Sequence, residues 1–67
     1  MNENQIKGAL ITSGSNQTRI AEMLKVSKTS VHRIISKKDK SRRIAQAIAN
    51  QIGEPLYKVF PEYKKGA

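Results

Sequence analysis

Apolar residues along this chain return every third or fourth position, and polar punctuation separates the runs. Ile6, Ala9 and Leu10 predict a first helix over about residues 3–13, stopped by Gly14 after Ser13. The cluster "SGSN" reads as a turn whose last residue, Asn16, caps a second helix over about 17–25 with Ile20, Ala21 and Leu24 inward. Arg19 stands where a capping box would place an acid. The tripeptide "KVS" interrupts the period, and Ser27 can cap a third helix over about 28–36, with Val31, Ile34 and Ile35 inward. Ser41 caps a fourth over about 42–52, striped by Ile44, Ile48 and Ile52 with Ala45 and Ala49 beside them; Gly53 suits a left-handed ending. Pro55 opens a short fifth helix in "PLYKVF", which Pro61 stops, and "EYKKGA", about residues 62–67, reads as a loose tail. No stretch alternates at period two for long enough to make a sheet. The expected fold class is all-α, a compact bundle of about five short helices.

Sixty-seven residues are expected to form one domain, 1–67. A chain this short buries only about 60% of the surface its unfolded form exposes. Without cysteine or tryptophan it has neither disulfides nor thiolate metal ligands, so stability rests on aliphatic packing. Absence of cysteine suits a reducing cytosol, so a cytoplasmic location is expected. No apolar run approaches the roughly 18 residues of a spanning helix, and the opening residues lack a basic region followed by an apolar stretch, so no membrane partner is expected and the chain reads as mature.

Charge adds a direction. The net charge is +8, and residues 25–43 hold Lys25, Lys28, Arg33, Lys37, Lys38, Lys40, Arg42 and Arg43 against Asp39 alone, which is +7 of that total. Such a balance favours a polyanion. It coincides with two short helices meeting through "KVS", the organisation in which a second helix enters the major groove while the first crosses the backbone. Ala21 lets the two helices approach closely, and Ile20, Leu24, Val26, Val31 and Ile34 hold the crossing from its buried side. Base edges are read by position, so that rigidity matters.

The stretch "QTRIAEMLKVSKTSVHRIIS", residues 17–36, resembles the helix-turn-helix of the lambda-repressor-like superfamily, with Gln17, Ala21, Val26, Val31 and Ile34 on its pattern. Residues 44–63 resemble the last two helices of small phage regulators of the Cro and Ner type. Lys25 departs from the family, standing where glycine is usual. The resemblance implies that Lys28 and Thr29 lead the base-reading face, with His32 and Arg33 one turn later. Lys or Arg can donate to guanine O6 and N7, and Thr can bond a base edge or touch a thymine methyl. Asn16 and Gln17, at the start of the second helix, are expected at phosphate, as are Ser30, Ser36, Lys37, Lys38 and Lys40. The implied function is a sequence-specific, double-stranded DNA-binding transcriptional regulator, a phage or prophage repressor occupying an operator as a homodimer formed in solution or only on DNA.

Plainer readings stand beside these. The run 37–43 can be a solvated loop, His32 ordinary surface, and Thr29 or Ser30 part of a cap. Tyr57, Phe60 and Tyr63 lie far along the chain from the basic segment and are expected in the core or at a dimer contact rather than stacked on bases. His32 and Asp39 are the sole His and Asp, and the four glycines are isolated, so no catalytic site, metal site, cofactor or small-molecule ligand is expected. The alternative function is a basic interaction or architectural module, gripping an acidic protein or bending DNA as an excisionase does. The operator, its half-site spacing and the regulated genes are not encoded in these features.

Overall fold

The computed structural model describes residues 1–63. They form α1 (Glu3–Thr12), α2 (Gln17–Leu24), α3 (Lys28–Ile35), α4 (Arg42–Ile52) and α5 (Leu56–Val59), followed by a 3₁₀ turn, Pro61–Tyr63; no strand occurs among them. The expected all-α bundle of five short helices is the architecture observed.

Side-chain caps start the helices. The Asn16 side chain accepts from the Arg19 N–H at 2.9 Å, Ser27 Oγ from the Ser30 N–H at 3.1 Å, and Ser41 Oγ from the Ile44 N–H at 3.4 Å, each covering a donor that has no intrahelical partner. At α1 the cap is reciprocal: Asn2 Oδ1 accepts from the Gln5 N–H and Gln5 Oε1 from the Asn2 N–H, both at 2.8 Å. The pattern of apolar positions had no power to reveal that box, because neither residue is apolar.

Four helices end on a left-handed residue: Gly14 (φ 86°), Lys25 (φ 59°), Lys37 (φ 63°) and Gly53 (φ 85°). α1, α2 and α3 each stop one residue short of the expected boundary, since Ser13, Lys25 and Ser36 already leave the helical conformation. Pro55 precedes α5 as its N-cap, with an extended ψ of 148°, and does not take the first helical position. The expectation of a loose tail from about residue 62 is corrected at Glu62 and Tyr63. Tyr63 packs on the core edge-on to Phe60, with ring centroids 6.0 Å apart, and its hydroxyl accepts the Ser41 N–H at 2.8 Å. An aromatic that buries its ring and still bonds its hydroxyl has reason to stay. Residues 64–67 of that tail lie outside the described residues.

α4 is the organiser. Ile44, Ala45, Ile48 and Ala49 are buried, and the helix packs against α1, α2, α3 and α5. Its alanines allow close approach, while Ile6 and Leu10 of α1, Ile20 and Ala21 of α2, the Val31, Ile34 and Ile35 stripe of α3, and Leu56, Val59 and Phe60 complete the buried cluster. Burying each large side chain contributes about 1.5–3 kcal/mol, which is what holds helices too short to be stable alone. Leu24, Val26 and Ile52, expected inward, are half-buried at the edge of this cluster. No polar side chain is buried among the described residues. No helix among them is long and apolar enough to cross a membrane.

Candidate nucleic-acid interface

α2 and α3 pack against each other across the three-residue connection 25–27. The turn closes through the Lys25 N–H to Glu22 O at 3.3 Å and the Val26 N–H to Ala21 O at 3.0 Å. This pairing satisfies the last carbonyls of α2 and requires the left-handed residue that Lys25 supplies. Val26 then turns inward and Ser27 starts α3, so the backbone geometry of one tripeptide sets the angle between the helices. Lys25, which stands where the resemblance leads one to expect glycine, itself takes the left-handed conformation, with φ 59° and ψ 43°.

On α3 the buried stripe of Val31, Ile34 and Ile35 leaves Lys28, Thr29, His32 and Arg33 exposed together. The side chains of Lys28, Thr29 and His32 make no hydrogen bond or ion pair among the described residues. Arg33 Nε lies 4.0 Å from Asp39 Oδ2, with both side chains more than half exposed. An exposed pair at that distance is weak and readily exchanged.

The residues expected at phosphate divide. Lys38 and Lys40 are exposed just beyond the end of α3, where Asp39 turns back to accept the Lys40 N–H at 2.8 Å. Lys37 is partly engaged within the fold, with Nζ 3.1 Å from the Met1 carbonyl oxygen and 4.0 Å from Glu62 Oε1. The Ser36 hydroxyl donates to His32 O at 3.0 Å, and Ser30 Oγ pairs with Ser27 Oγ at 2.9 Å, so both serve helix ends. Asn16 uses its carbonyl oxygen as the α2 cap, and Gln17 is half-buried at the first helical position. These two stand at the opposite end of α2 from its connection to α3, about 12 Å of helix away.

Two features escape sequence reasoning. Arg43, at the start of α4, donates Nη2 to the Leu24 carbonyl oxygen at 2.8 Å, carrying a guanidinium to the end of α2. A contact spanning nineteen positions leaves no local signal. Glu3 of α1 borders the basic surface: its carboxyl is held below the ordinary value by a hydrogen bond from Lys7 above all, partly opposed by desolvation and aided by the electrostatic influence of Lys7, His32 and Lys38. Among the described residues no cavity is present, and no three His, Asp or Glu side chains converge as metal ligands.

The exposed face of α3 thus offers donors and one hydroxyl on a helix of eight residues. With its side chains an α-helix is about 10–12 Å across, a cross-section that the roughly 12 Å wide B-DNA major groove admits. No family model, curated protein or solved structure matches the chain.

Proposed function

We propose that this chain is a sequence-specific regulator that binds double-stranded DNA with α3 in the major groove, a repressor of the phage Cro or Ner type. The observation that carries the proposal is the set of side chains on α3, Lys28, Thr29 and His32, that have no partner among the described residues, held on a helix whose other face is locked in the core. Polar groups that the described fold does not use, in a segment (residues 25–43) that carries most of a +8 charge, suit a polyanion with hydrogen-bonding edges. Lys28 and Arg33 suit guanine O6 and N7, and Thr29 suits a base edge or a thymine methyl; a good bidentate contact discriminates by about 1–3 kcal/mol. Lys38 and Lys40 supply attraction to phosphate that orients the domain and carries no base preference.

A module this small makes few base contacts, so affinity calls for two copies on neighbouring half-sites about 34 Å apart, one turn of the duplex.

Selection from random duplex DNA tests the proposal, followed by sedimentation of the complex with the selected site. A defined half-site, repeated at one-turn spacing and bound by two chains, is the expected result. Binding without preference among duplexes points instead to an architectural role, and loss of all duplex binding at low salt rejects a DNA function.

A further inference from the structure

The helix ends contain an asymmetry. α1, α2, α3 and α4 all close on a left-handed residue, and at each the next residue's N–H reaches five positions back: Ser15 to Leu10, Val26 to Ala21, Lys38 to Arg33 and Glu54 to Ala49. At α1 and α4 the left-handed residue is glycine, which adopts that conformation freely. At α2 and α3, the two helices of the candidate interface, it is lysine. A side chain in that region carries a conformational cost, and persistence of such a residue points to a use for what it bears.

The two lysines differ in what they do within the fold. Lys37 is tied by its ammonium to the Met1 carbonyl and lies near Glu62, so a tertiary role accounts for it. Lys25 is exposed, and its ammonium has no carboxylate or hydrogen-bond partner among the described residues. Tertiary structure also brings a second cation to the same turn: Arg43 reaches the carbonyl of Leu24, the residue immediately before Lys25. One N–H of that guanidinium is engaged there, and the remaining donors stay available. Glu22 is the acid nearest in sequence to Lys25, and it pairs with neither cation.

We propose that Lys25 and Arg43 form a phosphodiester-binding point at the α2–α3 turn. It lies at the start of α3, whereas Lys38 and Lys40 lie beyond its other end, so the exposed face is bracketed by cations. The inference rests on the DNA reading and adds two contacts to it: a phosphate gripped by an ammonium whose backbone position would otherwise favour glycine, and by a guanidinium already oriented through Leu24 O. The chain thereby gives up some folding stability for attraction to the duplex.

The test compares the full chain with Lys25→Gly, Lys25→Arg, Arg43→Gln and, as a control in α5 and outside the α2–α3 turn, Lys58→Ala. Binding to a random-sequence 20-bp duplex, chosen at about that length to hold one chain with ends to spare, is followed by fluorescence anisotropy against salt. Lys25→Gly is expected to melt about 4 °C higher or more, as relief of the strain implies. It is also expected to bind more weakly and to reduce the slope of log K against log salt by about 0.9, the loss of one phosphate contact. Lys25→Arg keeps the slope, Arg43→Gln lowers it by a similar amount, and Lys58→Ala leaves it unchanged. An unchanged slope in both Lys25→Gly and Arg43→Gln overturns the proposal while leaving the DNA reading intact. Failure of the unsubstituted chain to bind the duplex overturns that reading and this proposal with it.

Discussion

α3 and α4 bury similar faces and expose very different ones. Val31, Ile34 and Ile35 of α3 meet Ile44, Ala45, Ile48 and Ala49 of α4 in one core. Outside, every polar side chain of α4 except Arg42 has a partner among the described residues, Arg43 through one of its N–H groups. Gln46 Nε2 donates to Asn50 Oδ1 at 2.9 Å one turn on, Gln51 Nε2 to Ser13 Oγ at 3.2 Å, and Arg43 to the end of α2. The outer side chains of α3 do almost none of this: among the described residues Lys28, Thr29 and His32 have no partners and Arg33 has only a long pair with Asp39. The difference shows that helical amphipathicity alone does not identify a binding face. What separates the two is whether the polar groups already have partners inside the fold.

The largest expected effect should be common to both helices. Ile35→Ala and Ile48→Ala each remove a side chain with no exposed surface and should lower unfolding free energy by about 2–5 kcal/mol, measured by urea denaturation. A loss at Ile48 well under that range would break the claim that α4 organises the core. The helices should then part company. Lys28→Ala or Thr29→Ala should weaken binding to the selected duplex by about 1–3 kcal/mol and change the preferred base, while unfolding free energy stays within about 0.5 kcal/mol. Repeating the site selection with each variant checks the changed base, and an unaltered preference would remove that residue from the reading face.

Smaller effects sharpen the contrast. Gln46→Ala should cost about 0.2–0.5 kcal/mol of stability, the worth of a side-chain pair one helical turn apart, with no change in duplex affinity. The smallest concerns Glu3, whose folded carboxyl titrates below its unfolded value because Lys7 bonds to it. Its stabilising contribution is therefore complete above the unfolded value and disappears as pH falls through the lower folded one. Thermal melts from about pH 6 down to about pH 3 should show a slightly shallower acid decline in Glu3→Gln than in the unsubstituted chain.

Much of this fold was readable locally. The caps at Asn16, Ser27 and Ser41, the left-handed Gly53 and the inward stripes of α2, α3 and α4 all depend on residues within a turn of one another. The exposure of Lys28, Thr29, His32 and Arg33 follows from the same periodicity, because fixing the buried side of a helix fixes the other. Ser30, Ser36 and Lys37 show the limit of that reasoning. Their types and positions suit phosphate, yet a neighbouring hydroxyl, helix carbonyls and the Met1 backbone engage them.

What the linear order of residues determined was the existence of five helices, their inward faces and the concentration of charge between residues 25 and 43, since hydrophobic period, capping and composition act over short separations. Tertiary structure alone decided which polar groups have partners. It joined Arg43 to Leu24, Tyr63 to Ser41, and the Met1 ammonium to the carbonyls of Lys58 and Val59, contacts across 19, 22 and more than fifty positions. Such pairings arise only after core burial has brought distant segments together, because a hydrogen bond between exposed groups is too weak to gather them against chain entropy.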